Sequence, residues 1–132
     1  MSFYAVLIAH CNASFTAFTP SLYEVRHPCI TTVMGAVIEK GVEPMLIMEY
    51  MDMGSLHDIL HNESFPLDGD LLLPILRDIA QGVRFLHAAK PQVIHGDLKA
   101  HNVLVDGKFR AKVADFGLSA KKIIGATGTP FW

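Results

Sequence analysis

The sequence is poor in cysteine, in charge and in long apolar runs, and each shortage excludes a class of protein. Its 132 residues include two cysteines, which excludes a disulfide framework and favours reduced thiols. Charged residues make up 18% and the net charge is −2, so nothing in the composition favours binding to nucleic acid or to an anionic membrane. No apolar stretch reaches the about 18 residues that suggest a membrane-spanning helix. With 51% hydrophobic residues, we expect a globular domain in the cytoplasm, or on the cytoplasmic side of a membrane-attached parent.

The N-terminal segment contains one apolar run, from Phe3 to Ala9. This run is too short to cross a bilayer. It lacks the positively charged region that precedes a signal peptide's apolar core, although residues 9–13 could serve as a cleavage zone. We therefore favour a buried segment over a signal peptide.

Residues 29–61 predict an antiparallel strand pair followed by a short helix. The run CITTVMGAVIEKG is β-branched and apolar and ends in a turn, and VEPMLIMEYM follows as a second strand. We expect this hairpin to occupy residues 31–49. Ser55 then has the position of an N-cap for a helix that ends near His61.

The longest helical pattern covers residues 71–89. Apolar residues recur there at spacings of three and four, which predicts one buried face. Proline is tolerated only in the first helical turn, so Pro74 places the helix start near Leu71, and Pro91 marks the end.

Three short strand-like runs follow the long helix, namely QVIH, NVLV and KFRAKVA. Between the last two, Asp106-Gly107 predicts a two-residue hairpin turn, because both positions favour positive φ. A strand pair, then helices, then a small hairpin together predict an α+β fold with a mostly helical second part.

Two stretches, VIHGDLKAHNVLV (93–105) and KVADFGLSA (112–120), place aspartates in apolar surroundings. The hairpin between them should bring Asp97, Asn102 and Asp115 together, with Lys99 beside them. Carboxylate and amide oxygens suit Mg²⁺, and lysine supplies a positive charge for phosphate. A second carboxylate can accept a proton from a hydroxyl. Each aspartate alone is typical of a turn, but the joint pattern of H-x-D-x-K-x-x-N, hairpin and D-F-G is specific.

These motifs resemble those of eukaryotic protein kinases, in the tyrosine-kinase-like group of Ser/Thr kinases. HGDLKAHN resembles the catalytic loop, DFG (115–117) the metal-binding loop and LIMEYMDMGSL the hinge; RHPCITTVMGAV and GTPFW resemble flanking family segments. The resemblance covers about 25–132 and implies an α+β, partial protein-kinase-like fold. Its parts would be N-lobe strands at 31–49, a hinge at 48–54 and the start of the C-lobe at 55–132. Residues 1–24 are an atypical N-terminal segment that is not assigned to any domain.

The resemblance also implies roles for individual residues. Asp97 would orient the substrate hydroxyl and accept its proton, and Lys99 would contact the γ-phosphate. Asn102 and Asp115 would hold Mg²⁺, or Mn²⁺. The implied ATP-binding residues are Met48 as gatekeeper, Glu49, Met51, Ser55 and Leu104; the internal apolar column would contain Val33, His95 and Phe116; and the candidate phosphorylation sites are Ser119, Thr127 and Thr129. The implied cofactors are ATP and Mg²⁺, and the implied partner is a protein substrate with a serine or threonine hydroxyl.

The sequence departs from the family pattern in three places. It contains no G-x-G-x-x-G loop and no strand with V-A-I-K, and no A-P-E follows GTPFW. Because phosphoryl transfer depends on positioning, we expect this chain alone to be inactive and to belong to a longer kinase with further domains.

Gly96 stands where the family commonly has an arginine that pairs with a phosphorylated loop residue, and glycine cannot form that ion pair.

Two alternative interpretations accompany the kinase hypothesis. The H-G-x-L-K pattern that contains Gly96 also resembles the kinase-homology domains of receptor guanylyl cyclases. That resemblance implies a non-catalytic regulatory or binding module, but the intact Asp97 favours catalysis. The other alternative is a small metal-binding domain, which leaves the hinge-like MEYMDMGSL unexplained. His57 and His61 have the spacing of a zinc pair, but surface histidines are the favoured interpretation, because no third ligand is evident.

Overall fold

The computed structural model describes residues 4–8, 25–42, 45–90 and 92–114, with the backbone alone for 4–8. Some of the predicted features lie outside the described residues, namely Pro91, Asp115, Phe116, Ser119, Thr127 and Thr129. In the part that is described, no helix is both long enough and apolar enough to cross a membrane.

A three-stranded antiparallel sheet forms the first part of the fold. Its strands are β1 (Tyr4–Ile8), β2 (Val33–Val37) and β3 (Met45–Glu49), in the spatial order β1-β3-β2. The pairing of β2 with β3 confirms the predicted hairpin, with an irregularity between Val33 and Gly35. The N-terminal segment contributes β1 to this sheet, and the domain boundary at residue 24 stays a prediction.

The short helix α1 (Leu56–Leu60) begins where the sequence predicts. Ser55 is its N-cap: the Ser55 hydroxyl oxygen accepts a hydrogen bond from the Asp58 N–H at 3.1 Å. The Asp58 carboxylate accepts in return from the Ser55 N–H at 3.4 Å and from the Ser55 hydroxyl at 2.6 Å. This reciprocal capping box satisfies donors that a helix start would otherwise leave unpaired. These bonds hold the pKa of Asp58 below its ordinary value, first of all the one from the Ser55 hydroxyl.

The long helix α2 (Gly69–Ala88) begins two residues earlier than predicted. The Asp68 carboxylate caps it by accepting from the Leu71 N–H at 3.0 Å. Pro74 therefore lies in the second turn, so the expectation that it must lie in the first turn is wrong. The Asp68 cap decides where the helix starts. The helix tolerates the loss of one backbone hydrogen bond, because Pro74 has no N–H to donate.

The second hairpin joins β4 (Val103–Val105) to β5 (Ala111–Val113) in antiparallel pairing. The predicted two-residue turn is wrong, because Asp106 pairs with Arg110 and the turn between them is longer. Phe109 takes the positive φ of 58° that glycine was expected to supply. The Asp106 carboxylate accepts from the Lys108 and Arg110 N–H groups, and the Phe109 ring stacks on Phe65 with centroids 5.4 Å apart. These contacts compensate the strained backbone.

Two apolar clusters pack along α2 and share Ile79. The first joins the sheet, α2 and β5, and the second joins α1, α2 and the β4–β5 hairpin. Their fully buried centres are Ile30, Leu86 and Val113 in the first cluster and Ile75, Val105 and Ala111 in the second. The hairpin is thus fixed by packing on both of its strands.

Residues 92–95, the run QVIH, do not form the strand that their composition suggests. Val93 instead donates its N–H to the Leu86 carbonyl at 3.0 Å, which ties the segment to the end of α2. No described strand pairs with the segment, and it leads directly into the loop around Asp97.

Gly82 lies where α2 comes closest to the backbone of another segment. A Cβ atom added there would stand 2.6 Å from the Cys29 carbonyl oxygen and 3.2 Å from Val113 Cγ2. That oxygen cannot withdraw, because it accepts the Val113 N–H at 2.9 Å. We therefore expect Gly82→Ala to lower the free energy of unfolding by about 1–3 kcal/mol, as overpacking does elsewhere.

Urea unfolding followed by circular dichroism measures this effect. Gly69→Ala is the matched control, because a Cβ atom there meets nothing within 4 Å. We expect the control to leave stability unchanged or slightly increased. An unchanged midpoint for Gly82→Ala would show that the helix can move away from Cys29.

Candidate active site

His95 holds the loop that carries Asp97. Its side chain is buried, with 5% of the residue exposed. Nδ1 accepts the Asp97 N–H at 3.2 Å, and Nε2 lies 2.6 Å from the Ala114 carbonyl oxygen. These partners assign the proton to Nε2. His95 thereby connects Asp97 to the residue that directly precedes Asp115.

Gly96 turns the backbone between His95 and Asp97 with a φ of 79°. L-residues other than glycine adopt this left-handed region at an energetic cost. The glycine that sets this sequence apart from the family pattern is therefore compatible with the shape of the loop.

Asn102 links the two ends of the loop. The 3-10 helix Ala100–Asn102 positions it, and its Nδ2 donates to the Asp97 carbonyl oxygen at 2.8 Å. Nδ2 also lies 3.4 Å from the Asp97 carboxylate oxygen Oδ2. The Asn102 carbonyl accepts the Ala114 N–H at 2.8 Å. Because the amide nitrogen is used within the loop, the amide oxygen Oδ1 is left as the ligand atom.

Lys99 and Asp97 form an exposed ion pair. Lys99 Nζ lies 3.4 Å from Asp97 Oδ2, and the two side chains are 53% and 44% exposed. Such a pair contributes little to stability in water. Both charged groups are therefore accessible to a substrate, and the structure brings Asp97, Lys99 and Asn102 together as the sequence predicts.

The predicted hinge, residues 48–54, lies against β4. The Met53 N–H donates to the Val105 carbonyl oxygen at 3.1 Å, and the Val105 N–H donates to the Gly54 carbonyl oxygen at 2.9 Å. Met48 and Met51 are buried. Among the described residues, nothing accepts the Met51 N–H, so this backbone donor of the predicted hinge is unpaired within the part of the chain that the structure describes.

The structure places three further predicted residues, two of the ATP site and one of the internal apolar column. Leu104 is half-buried next to the hinge, where it bridges to Ser55. The Ser55 hydroxyl is already engaged in the α1 capping box. Val33 is buried against Met48 in the first apolar cluster. The roles assigned to all of these residues stay predictions.

Comparison with known proteins identifies the family. The family model for protein tyrosine and serine/threonine kinases matches residues 9–126. The chain belongs to the protein kinase family. Its relatives are named serine/threonine kinases, which supports that branch of the family, and the family generally uses ATP and Mg²⁺ to phosphorylate proteins.

Three relatives show the extent of the similarity. The chain is 42% identical to the probable serine/threonine-protein kinase drkC of Dictyostelium discoideum, over 117 residues that cover 83% of the chain and 16% of that protein. It is 40% identical to the serine/threonine-protein kinase CTR1 of Arabidopsis thaliana, over 82% of the chain and 14% of that protein. It is 38% identical to the putative serine/threonine-protein kinase/receptor R831 of Acanthamoeba polyphaga mimivirus, over 89% of the chain and 8% of that protein. The chain thus spans less than a fifth of the length of these relatives.

An ion pair that the sequence analysis missed joins the predicted hinge to β5. Lys112 Nζ lies 2.7 and 2.8 Å from the two carboxylate oxygens of Glu49. One of these oxygens also accepts the Thr32 N–H at 2.8 Å. The predicted ATP-site residue Glu49 therefore uses its side chain to fix the hinge. No spacing rule connects residues that lie 63 positions apart, so only the fold reveals this pair.

A buried carboxylate, also missed, fixes the β4–β5 hairpin on α2. Asp78 is 4% exposed in its side chain and accepts from Arg110 Nε and Nη2, both at 2.8 Å. It also accepts the Ala111 N–H at 3.1 Å. Burial by itself raises the pKa of the Asp78 carboxyl, but the hydrogen bonds from Arg110 and Ala111 outweigh it and hold the pKa below its ordinary value.

Cys29 lies next to this buried carboxylate. Its Sγ is 3.7 Å from Asp78 Oδ1 and 3.6 Å from the Gln81 side-chain oxygen. Burial, followed by the Asp78 charge, raises the pKa of the Cys29 thiol. The thiol is therefore protonated near neutral pH and serves as a weak donor rather than as a nucleophile.

Three histidine rings form a stack between α1 and the predicted catalytic loop. The His57 ring lies between His61, with centroids 4.1 Å apart, and His101, with centroids 3.7 Å apart. A metal ion binds in the plane of an imidazole ring, so stacked rings do not converge on one ion. Accordingly, the described part of the chain contains no group of three or more potential ligands arranged for a metal. The stack places α1 against the segment that carries Asn102.

Proposed function

We propose that this chain carries the catalytic loop and hinge of an ATP- and Mg²⁺-dependent kinase that phosphorylates serine or threonine in proteins. The observation that carries the proposal is the convergence of Asp97, Lys99 and Asn102 in one loop, held by His95 and Ala114. That loop lies on a hairpin whose β4 strand is hydrogen-bonded to the hinge. Nucleotide and protein substrate would therefore meet at the same rigid element.

The proposed chemistry is a direct phosphoryl transfer. The substrate hydroxyl donates its proton to the exposed Asp97 carboxylate as its oxygen bonds to the γ-phosphorus, and ADP leaves with the electrons of the broken P–O bond. Lys99, half exposed beside Asp97, would neutralise charge on the transferred phosphoryl group. The Met51 N–H and the Glu49 backbone would bind the adenine edge, and Leu104 would pack beneath it.

The residues present fit a magnesium ion. Asn102 presents an amide oxygen because its nitrogen is held by the Asp97 carbonyl, and Mg²⁺ prefers such hard oxygen ligands. We propose Asn102 and Asp115 as its protein ligands, with Mn²⁺ as a substitute. When bound, the ion supplies positive charge that neutralises the phosphates. Asn102 also has a second task, which is to hold the Asp97 backbone.

A chimera tests this function directly. We would replace the matching segment of the drkC kinase domain with residues 25–126 and assay transfer from ATP to serine, threonine and tyrosine peptides. We expect transfer to serine and threonine peptides that requires Mg²⁺ or Mn²⁺. We expect no transfer by the chain alone, because its sequence contains no G-x-G-x-x-G loop.

The unmodified drkC domain and a chimera with residues 25–90 alone serve as controls. The shorter segment omits the catalytic loop, so it separates a failure of the sheet and hinge from a failure of the loop. A folded full chimera that is inactive, or that modifies only tyrosine, would contradict the proposal. A non-catalytic module of the kind attached to cyclases would then be the better interpretation.

We also propose a cytoplasmic location, or the cytoplasmic side of a membrane-attached parent, and accompanying domains in a longer protein. The free thiol of Cys29 supports a reducing compartment. The small share of each relative that the chain spans is compatible with further domains. Fractionation of cells that express the tagged protein checks the location, and recovery in a secreted fraction would contradict it.

A further inference from the structure

A groove lies along α2, away from the candidate active site. Its cavity measures ≈ 470 Å³ and is lined by Leu73, Pro74, Arg77, Asp78 and Gln81 of α2 and by Arg110 at the end of the hairpin turn. None of the residues assigned to ATP, metal or phosphoryl transfer lines it. Its volume suits a few side chains of a bound segment.

The groove contains an excess of positive charge. Asp78 neutralises one of the two guanidinium groups by pairing with Arg110. Arg77 is exposed, and no described residue forms a hydrogen bond or ion pair with it. The Arg110 side chain is 56% exposed and keeps N–H groups that its bonds to Asp78 do not use. Two arginines thus present donors to the groove within a chain whose net charge is −2.

The arginine donors have an apolar surface beside them. Leu73 is 66% exposed, and Pro74 adds an apolar ring in the next position. A lone phosphate or a nucleic acid backbone would leave these side chains exposed to water. A peptide can cover them with an aliphatic side chain while it offers carboxylates to Arg77 and Arg110.

Part of the groove is preorganised. Arg110 is held by two hydrogen bonds to a carboxylate that is itself buried, so its guanidinium has a fixed direction. A donor that is fixed before binding loses little conformational entropy when a ligand arrives. Planar guanidinium groups also match carboxylates with two parallel hydrogen bonds.

We propose that this groove docks an extended acidic segment of a partner protein, with carboxylates on Arg77 and Arg110 and an aliphatic side chain on Leu73 and Pro74. The inference goes beyond phosphoryl transfer and does not depend on it. The bound segment would lie away from Asp97. Docking would therefore hold a partner on the kinase without occupying the catalytic loop.

Fluorescence anisotropy tests the proposal with the chain as it is. The probe is a short labelled peptide of Ser-Glu-Leu repeats, and a peptide with lysine in place of glutamate is its counterpart. We expect the acidic peptide to bind, the basic one not to bind, and added salt to weaken the binding. Charge reversal by Arg77→Glu should weaken binding by about tenfold or more, and Leu73→Ser should weaken it as well.

Arg84→Glu is the matched control, because Arg84 is exposed on the same helix but does not line the groove. It should bind the acidic peptide like the original chain, and thermal unfolding verifies that each variant is folded. Equal binding by Arg77→Glu, or an equal loss in Arg84→Glu, would overturn the proposal. Binding of phosphatidylserine vesicles through Arg77 without binding of the peptide would overturn it in favour of a lipid surface. No nucleotide is present, so the outcome is separate from that of the proposed function.

Discussion

Replacing Asp97 with asparagine should abolish measurable phosphorylation by the drkC chimera that contains this catalytic loop. Asparagine keeps the size of the side chain but cannot accept the proton of the substrate hydroxyl. Loss of a general base costs about 10²–10⁴-fold in rate, and loss of the carboxylate charge beside Lys99 adds to this. Initial rates of phosphate transfer from labelled ATP measure the effect.

The structure predicts that this variant stays folded. Asn102 holds the backbone carbonyl of Asp97, and His95 holds its N–H, so neither bond needs the carboxylate. Thermal unfolding should therefore be nearly unchanged. Asp70→Asn is the control, because Asp70 is an exposed carboxylate on α2 and should not affect the rate. Full activity of Asp97→Asn in a folded chimera would rule out Asp97 as the base.

Replacing Arg110 with methionine should destabilise the chain strongly, because Arg110 pairs with the buried Asp78 carboxylate. The substitution leaves the Asp78 carboxylate buried with only the Ala111 N–H and the Cys29 thiol beside it. Removing one partner of a buried ion pair costs about 3–5 kcal/mol, because the other charge remains without compensation. Urea unfolding at neutral pH measures this loss.

The cost should shrink as the pH falls. In the original chain the pKa of Asp78 lies below its ordinary value, so the stability it contributes is present above the unfolded pKa of about 3.9 and is lost as the pH falls through the folded pKa. Without Arg110, its hydrogen bonds and charge no longer offset the effect of burial, so the pKa of Asp78 should be higher than in the original chain. The carboxylate then costs stability at neutral pH, and protonation relieves that cost as the pH falls. The two stability curves should therefore approach each other as the pH falls, and they should be closest below the folded pKa of Asp78 in the original chain.

A double-mutant cycle isolates this pair. In an Asp78→Asn background, Arg110→Met should cost much less and should show no such pH dependence, because no buried charge remains. Arg84→Met is the control for loss of an exposed arginine, because Arg84 lies outside the groove that Arg110 lines. A cost of Arg110→Met that stays constant across the pH range would show that packing, and not charge, holds the hairpin.

The elements that rest on local rules could be predicted well. The β2–β3 hairpin follows from two β-branched apolar runs, and the α1 cap follows from Ser55 at the right distance before a helical run. The convergence of Asp97 with Lys99 and Asn102 also follows, because all three lie in one short loop. Local geometry limits where such residues can go.

The errors have two causes: a contact with a distant residue that overrode a local preference, and a local cap that was given less weight than proline. Asp106-Gly107 favours a tight turn, but Phe109 accepts a strained φ because its ring stacks on Phe65, which comes from the loop after α1. The start of α2 was placed by Pro74, whereas the Asp68 cap decided it. The run QVIH has strand composition, but no described strand lies beside it to pair with.

The sequence by itself determined the family, the β2–β3 hairpin, the two helices and the grouping of Asp97, Lys99 and Asn102 in one loop, because motif spacing and apolar periodicity are properties of the chain. Only the tertiary structure decided how that loop is held: His95 on Ala114, Lys112 on Glu49, and Asp78 on Arg110. It also decided that Arg77 and Arg110 share one groove. These contacts join residues that are far apart in the sequence, and their partners are chosen by packing and by the need to pair buried polar groups.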